Sequence, residues 1–298
     1  MGRPAFESFA HKARCSRFDG QLADHRGARL PRFVFWNINK RDIGSLVAGL
    51  ARSHDADVIV LAECPMPPER ILEALNEASP DYHYAYGLSD DIRFFTKFEA
   101  SFLSPVYERS DLSVRRLRLP ARQELLIVAA HLPSKLFHTG ESLHEECIDL
   151  ARIISESEDA VGHYRTVVLG DLNVNPFEAG VVGAVGLHAV MSRDIAARMS
   201  RTVRGRQHRF FFNPMWGHIG ERNDGPPGTY YYERAENVNY FWNVFDQILI
   251  RPELLGTFKN EDVRVLTRAG DVELVNAAGR PNRQAASDHL PVLLDLDF

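Results

Sequence analysis

Cysteine is scarce in this chain, with three residues in 298. Cys15, Cys64 and Cys147 are widely spaced and form no Cys-x-x-Cys unit. That pattern argues against a disulfide framework and a zinc cage, and fits a reducing compartment, so a cytoplasmic protein is expected. Long apolar runs are missing as well. Stretches such as Leu125–Ala130 are far shorter than the roughly 20 residues of a membrane-spanning helix, so no membrane span is expected. Basic residues are not in excess: 35 Lys and Arg stand against 40 Asp and Glu, a formal charge of −5. Coating of nucleic acid through bulk charge is therefore not indicated. There are no repeats or low-complexity tracts, and nothing points to an obligate protein partner. Residues 1–30 carry Arg3, Lys12, Arg14, Arg17, Arg26 and Arg29 without a continuous apolar segment, which argues against a secretory signal. They read as a loosely ordered N-terminal arm, or as a strand and turn entering the first sheet.

What the chain does have is the 45 % hydrophobic content of a protein with a full core, arranged as strand-like runs alternating with amphipathic ones. Asp57–Leu61, Glu124–Ala130 and Thr166–Leu169 read as buried strands, and Phe245–Ile250 and Pro291–Leu296 as later ones. Ile43, Leu46, Val47 and Leu50 recur at helical spacing after Asp42, an expected N-cap; Pro67 and Pro68 suit the start of a second helix. Leu143, Cys147, Leu150, Ile153 and Ile154 mark a long helix. Four short strands between Tyr82 and Leu119 read as one antiparallel meander. Pro176 is expected to open a helix reaching about Val185, and periodicity fades from His188 to Asn243. Residues 31–298 are expected to form one mixed α/β domain, because four polar motifs are scattered over that whole length.

Each motif lies at the end of an apolar run. Trp36-Asn37-Ile38-Asn39 follows Arg32–Phe35, Leu61-Ala62-Glu63-Cys64 follows Asp57–Val60, and Gly170-Asp171-Leu172-Asn173-Val174-Asn175-Pro176 follows Thr166–Leu169. Ser287-Asp288-His289-Leu290-Pro291 precedes the last run. Glu63 closes an otherwise apolar strand, where a bare carboxylate is costly unless it is solvated or paired. Asp171 and Asn173 are two apart, so both can face one side of an extended turn; an Asx-turn closing the strand is the plain structural alternative. His289, with an ordinary pKa near 6.5, suits proton transfer at neutral pH.

In this order and at these separations, the four motifs resemble the endonuclease/exonuclease/phosphatase superfamily. The resemblance spans roughly residue 32 to the end. It implies two mixed β-sheets packed as a sandwich with helices on the outer faces, an architecture that composition alone does not give. It implies hydrolysis of phosphate esters with Mg²⁺, or alternatively Mn²⁺, as cofactor. It also implies a set of roles. Glu63 is the first metal ligand, Asp288 a second metal-facing carboxylate, and Asn37 a neighbour of the metal. Asp171 orients or deprotonates the attacking water, Asn173 donates to the phosphate, and His131, in Ala130-His131-Leu132-Pro133, bonds a phosphate oxygen. Asp246 fixes the tautomer of His289. Whether Asp171 or His289 takes the proton stays open.

The reaction type does not fix the substrate. A nuclease or nucleotide phosphodiesterase is the leading expectation; a lipid or inositol phosphate phosphatase is an alternative, as is a binding module that kept the scaffold and lost turnover. Ser134, Lys135 and His138 can reach a phosphate beside the scissile one, or simply face solvent. Residues 193–209 hold six arginines against one acid. Their guanidinium forks suit polynucleotide backbone, and lying between the Asp171 and Asp246 motifs, Arg204, Arg206 and Arg209 are expected at the mouth of the cleft. A solvated basic face is the competing reading. Of the neighbouring aromatic residues, from Phe210 to Trp242, most are expected in the core, with some free to stack on bases.

Overall fold

The computed structural model describes residues 31–298 apart from 79, 135–139, 222–224 and 236. The proposed arm at residues 1–30, Cys15, Lys135 and His138 lie outside the described residues. Two large sheets carry the architecture. The first has six strands in the order β16 (Val263–Val265), β19 (Val292–Asp295), β1 (Arg32–Asn37), β2 (Val58–Ala62), β4 (Ile92–Thr96) and β3 (His83–Ala85). The second has seven, in the order β5 (Leu103–Arg109), β6 (Leu112–Leu117), β7 (Leu125–His131), β8 (Thr166–Asp171), β15 (Asp246–Ile250), β12 (Phe211–Phe212) and β9 (Ala189–Val190). Pairs β1–β2 and β7–β8 are parallel, while β1–β19, β2–β4 and β8–β15 are antiparallel, so both sheets are mixed.

Alternation along the strands builds the layers, because successive side chains point to opposite faces. Phe33, Phe35, Val58, Val60 and Phe94 of the first sheet share one core with Leu125, Ile127, Val167, Leu169 and Ile248 of the second. The alternate residues Val34, Trp36, Ile59 and Leu61 pack beneath α1 (Gly44–His54) and α2 (Pro68–Asn76). Leu126, Val128, Val168 and Leu249 pack beneath α3 (Gly140–Val161). The central strands are therefore apolar on both faces, which is why they read as continuous runs. The result is the helix–sheet–sheet–helix sandwich that the resemblance implies.

Several local expectations are corrected. The stretch from Tyr82 to Leu119 is not one meander: β3 and β4 pair in the first sheet, whereas β5 and β6 pair in the second. The chain crosses between sheets at Ala100–Phe102, and the alternating pattern looks the same on either side of that crossing. Asp42 does not cap α1, whose preceding residue Ile43 makes no side-chain cap; Asp42 instead pairs with Arg70 at 2.8 Å. Past Pro176 only one helical turn forms, α4 (Ala179–Val182). A Cβ on Gly180 would lie 2.7 Å from Cys147 Sγ, and one on Gly186 would lie 2.2 Å from the Gly180 carbonyl. The glycines let this segment fold back tightly on α3, which ends the helix. The aperiodic stretch 188–243 contains α5 (Arg193–Ala196) and two small hairpins, β10 (Ser200–Val203) with β11 (Arg206–Arg209), and β13 (Tyr230–Tyr231) with β14 (Trp242–Asn243). Another short hairpin, β17 (Arg268–Ala269) with β18 (Val272–Glu273), comes after β16.

One register sets the position of the polar motifs. His131 lies opposite Asp171 in the β7–β8 ladder, and Asp171 lies opposite Asp246 in the β8–β15 ladder. Three polar residues from the three central strands thus occupy one cross-strand row at the strand ends of an apolar sheet.

Candidate active site

A cleft of about 1130 Å³ opens where β1, β2, β7 and β8 end and β15 begins. It is lined by Glu63, His131, Asp171, Asn173, Asp288 and His289, among others. Asn37 closes β1 and stands behind them, its Nδ2 donating to Asp171 Oδ2 at 3.0 Å and to Glu63 Oε1 at 3.2 Å. One amide therefore draws a carboxylate from each sheet to the same point. Its oxygen faces away, accepting from the Asn39 amide at 2.9 Å.

Two imidazoles approach Asp171 from either side. His289 Nε2 lies 3.7 Å from Asp171 Oδ2, and His131 Nε2 lies 3.9 Å from the same oxygen and 3.4 Å from Glu63 Oε1. Each ring is held through its other nitrogen. His289 Nδ1 meets Asp246 Oδ2 at 2.8 Å, and His131 Nδ1 meets Asp91 Oδ2 at 3.0 Å. A carboxylate on Nδ1 fixes the tautomer and turns Nε2 toward the cleft. The backbone adds to this, since Trp36 Nε1 donates to the His289 carbonyl and Ser287 Oγ accepts from the His289 amide.

Burial and the neighbouring charges compete to set the charge states. Asp246 is completely buried, and desolvation pushes its carboxyl up against the pull of His289. Desolvation opposes charge on His289, but the adjacent Asp246 and Asp171 carboxylates override it and push the imidazole up to about 10. Both shifts describe one proton held between the two residues at neutral pH. We assign it to Nδ1 of a charged His289, which has three carboxylates around it. His131 is likewise raised: burial lowers it, while Asp91, Asp171 and Glu63 raise it by more. Asp91 in turn is held low by its hydrogen bond to His131.

Four site residues without the freedom of glycine sit at positive φ: Asn39 at 46°, Lys40 at 54°, Glu63 at 50° and Asn173 at 51°. Such backbone is costly and concentrates where a scaffold forces side chains into place. Asn173 forms the Asx-turn and borders the cleft at the same time. Its amide donates to Asp171 Oδ1 at 3.0 Å, which is the turn, and its Nδ2 donates to the Leu132 carbonyl at 2.8 Å.

The donor set suits a hard divalent cation. Glu63 and Asp171 converge on one amide, and Lys40 Nζ stands 3.8 Å from Glu63 on the solvent side. Mg²⁺ takes one or two carboxylates and keeps several waters, which an open cleft permits. Among the described residues, ligand atoms of Asp171, Asp246 and His289 also lie within 4.8 Å of one another. There His289 Nδ1 and one Asp246 oxygen are already spent on each other. The oxygen-rich Glu63 side is thus the better fit for a hard divalent cation. Asp288 faces the cleft but is engaged by Asn39 Nδ2 at 2.7 Å and Arg283 Nη2 at 3.1 Å.

Sequence reasoning missed Asp91 and Arg283. Asp91 directly precedes β4 as Glu63 directly follows β2, so an acid beside a strand was the available signal. The expected position of the arginines is corrected. Arg209 ion-pairs with Glu253, and Arg204 and Arg206 sit at the turn and start of an exposed hairpin, none of them lining the cleft. Phe212 lies opposite Ile250 and Ile250 opposite Val167, at the far ends of β15 and β8. That end is separated from Asp171 by the length of β8, about 17 Å.

The same hairpin contacts a buried histidine with a predictable pH response. His188 Nδ1 lies 3.0 Å from the Arg209 carbonyl and Arg201 Nε lies 2.8 Å from Nε2. The ring must therefore be neutral, with the proton on Nδ1, and burial first, then Arg201, lowers its pKa. The unfolded chain binds this proton below about pH 6.5 and the folded chain does not, so stability falls as pH drops through that region. Denaturant midpoints measured from pH 7 to pH 5 are expected to drop less in His188→Asn than in the parent. Asn tolerates the positive φ of 51° at this position, and an equal drop in both proteins rejects this account.

Residues 34–289 match the Endonuclease/Exonuclease/phosphatase family. Among solved structures, a family protein from Bacteroides thetaiotaomicron is similar with a TM-score of 0.54 and 14 % identity, over 90 % of this chain and 98 % of that one. D. rerio TDP2 complexed with single strand DNA product is similar with a TM-score of 0.51 and 13 % identity, over 90 % and 99 %. An endonuclease/exonuclease/phosphatase from Beutenbergia cavernae gives 0.51 and 19 %, over 91 % and 72 %. At these identities the likeness is one of fold. No curated protein matches the sequence. Family match, sandwich and converging polar row agree, and the chain belongs to the endonuclease/exonuclease/phosphatase family.

Proposed function

We propose that this protein is a Mg²⁺-dependent phosphoesterase that cleaves phosphodiesters of nucleic acids or nucleotides by attack of water on phosphorus. The observation that carries the reading is the meeting of Glu63 and Asp171 on Asn37, with Nε2 of both His131 and His289 turned to Asp171. With His289 charged at neutral pH, it has no lone pair free to act as a base, so Asp171 takes the proton of the attacking water. The His131 and His289 N–H groups then face the phosphoryl oxygens, where negative charge grows in the transition state. Asn173 adds a further amide at the same rim. Asp246 and Asp91 act one step back, aiming the two rings. Glu63, with Asp288 at the flank, would hold Mg²⁺, which supplies charge neutralisation at the phosphoryl oxygens. The TDP2 structure with single strand DNA product supports nucleic acid as the substrate class by analogy of fold. No helix among the described residues is long and apolar enough to cross a membrane.

Two measurements test the reading. Turnover should depend on Mg²⁺ in a screen of DNA, RNA, nucleotides, inositol phosphates and sphingomyelin, with signal in the nucleic acid or nucleotide arms. Binding of Mg²⁺ to the folded site alone should stabilise the protein, by roughly 2.7 kcal/mol at a hundredfold excess over Kd. The resulting rise in Tm is expected to vanish in Glu63→Ala; a rise that persists in that variant removes Glu63 from the metal site.

A further inference from the structure

Beside Asp288 a second cavity of about 340 Å³ opens, and it shares Tyr230, Tyr232, Arg234, Arg283 and Asp288 with the main cleft. We propose that this compartment receives the nucleotide unit next to the scissile phosphate, with its base on Tyr232 and its phosphate on Arg234 and Arg280. The proposal rests on the phosphoesterase reading and names the substrate feature that the site selects.

Aromatic faces step outward from the reacting centre. Tyr230 forms a β-bridge with His289, and its ring lies 4.6 Å from the imidazole. Tyr232 stacks on Tyr230 at 6.5 Å with an interplanar angle of 21°, and the Arg234 guanidinium lies 5.4 Å over Tyr232. Phe245 backs Tyr230 from 5.3 Å, so the inner ring is braced. When Arg234 swings from the Tyr232 ring to the flanking phosphate, a base leaving the reacting phosphate along this wall meets a π face, and such stacking is indifferent to base identity.

Charge points the same way. The acidic groups of the cleft gather around Asp171, whereas this compartment has Arg234, Arg280 and Arg283 against Glu233 and Asp288. Arg283 is tied to Asp288 at 3.1 Å. Arg280 lies 4.0 Å over Tyr231 and pairs with Glu233 at 3.1 Å, but both partners are about half exposed, and pairs of that kind are weak. Arg280 can therefore exchange Glu233 for a phosphate, which the guanidinium fork grips at two oxygens. A lone inorganic phosphate has no use for the tyrosines, and an acyl chain has none for three guanidinium groups. A nucleotide uses both, and the volume lies at the lower end of the range for small-molecule pockets.

The test compares a fluorescein-labelled deoxythymidine decamer with bis(p-nitrophenyl) phosphate, which has no flanking phosphate. In Tyr232→Ala, and in the double variant Arg234→Gln/Arg280→Gln, the ratio of kcat/KM for decamer over small diester is expected to fall at least about fivefold, carried by KM. Binding of the decamer is measured separately in an Asp171→Asn background. There the slope of log Kd against log salt should flatten by about 0.7 for each phosphate that the double variant no longer neutralises, and Arg234→Lys/Arg280→Lys should restore it. Equal losses on both substrates, or an unchanged salt slope, overturn the proposal. If the parent protein cleaves neither substrate, the phosphoesterase reading fails, while decamer binding and its salt slope still decide the compartment.

Discussion

Replacing Asp171 by Asn is expected to lower kcat by at least about 10² to 10³ while the protein stays folded. The substitution keeps the shape and removes the one carboxylate that both imidazoles and Asn37 address. Stability should hold, because Asn keeps the side-chain volume and Asp171 stands at the end of β8, outside the three apolar clusters. Relief of repulsion with Asp246 opposes the attraction lost to His131 and His289, so the net change in stability is expected to be small. Turnover and Tm measured on the same preparation separate the two effects. A variant with parental kcat removes the proton-transfer role; one that unfolds shows that the carboxylate was needed for the row of strands rather than for chemistry.

The second large effect belongs to Asp246. In Asp246→Asn an amide replaces the buried carboxylate, so His289 loses the partner that keeps Nδ1 protonated and Nε2 turned to the cleft. A fall in kcat of about 10² to 10³ is expected, the range for losing one donor aimed at the transition state. The pH profile gives the sign. In the parent His289 is pushed up to about 10 against the cost of burial, so its charge is present at neutral pH and is lost as pH rises through that value. Without Asp246 the imidazole gives up its proton at lower pH, and the alkaline decline in rate should move toward neutrality. The stability drawn from the pair follows the same rule: it is complete below about 6.5, the unfolded value, and is lost toward pH 10. Rates measured from pH 6 to 10 check the shift, and an alkaline limb that stays in place would falsify the claim that His289 works in its charged form.

Much of this site is legible in the sequence, because apolar runs that stop abruptly at Asn37, Glu63, His131 and Asp171 announce strand ends, and strand ends of an apolar sheet are where polar groups can collect. The two-sheet layering is legible only through the family resemblance, since Phe33 and Val34 look alike in the sequence and differ only in which layer covers them. Register is not legible at all. Nothing local in Leu125–His131 says that His131 stands opposite Asp171, which is a property of how two strands slide past each other. Asp91 was missed for a related reason: its partner lies 40 residues further on, and beside Asp90 it reads as part of a polar turn. The arginines of 193–209 were placed at the wrong end because chain order does not tell which end of a sheet an excursion visits. The segment leaves at Asp171, travels to the far edge, and returns along β12 and β15, which are antiparallel.

His131, Asp171 and Asp246 stand in one row only while three strands keep their alignment. Side chains alternate across a sheet, so sliding β8 by a single residue would carry Asp171 to the opposite face and put Leu172 or Gly170 in its place. No partly assembled version of the centre can therefore work at reduced efficiency. Under mild denaturant, activity should disappear together with the global spectroscopic transition instead of ahead of it, and the surviving molecules should keep full specific activity until they unfold.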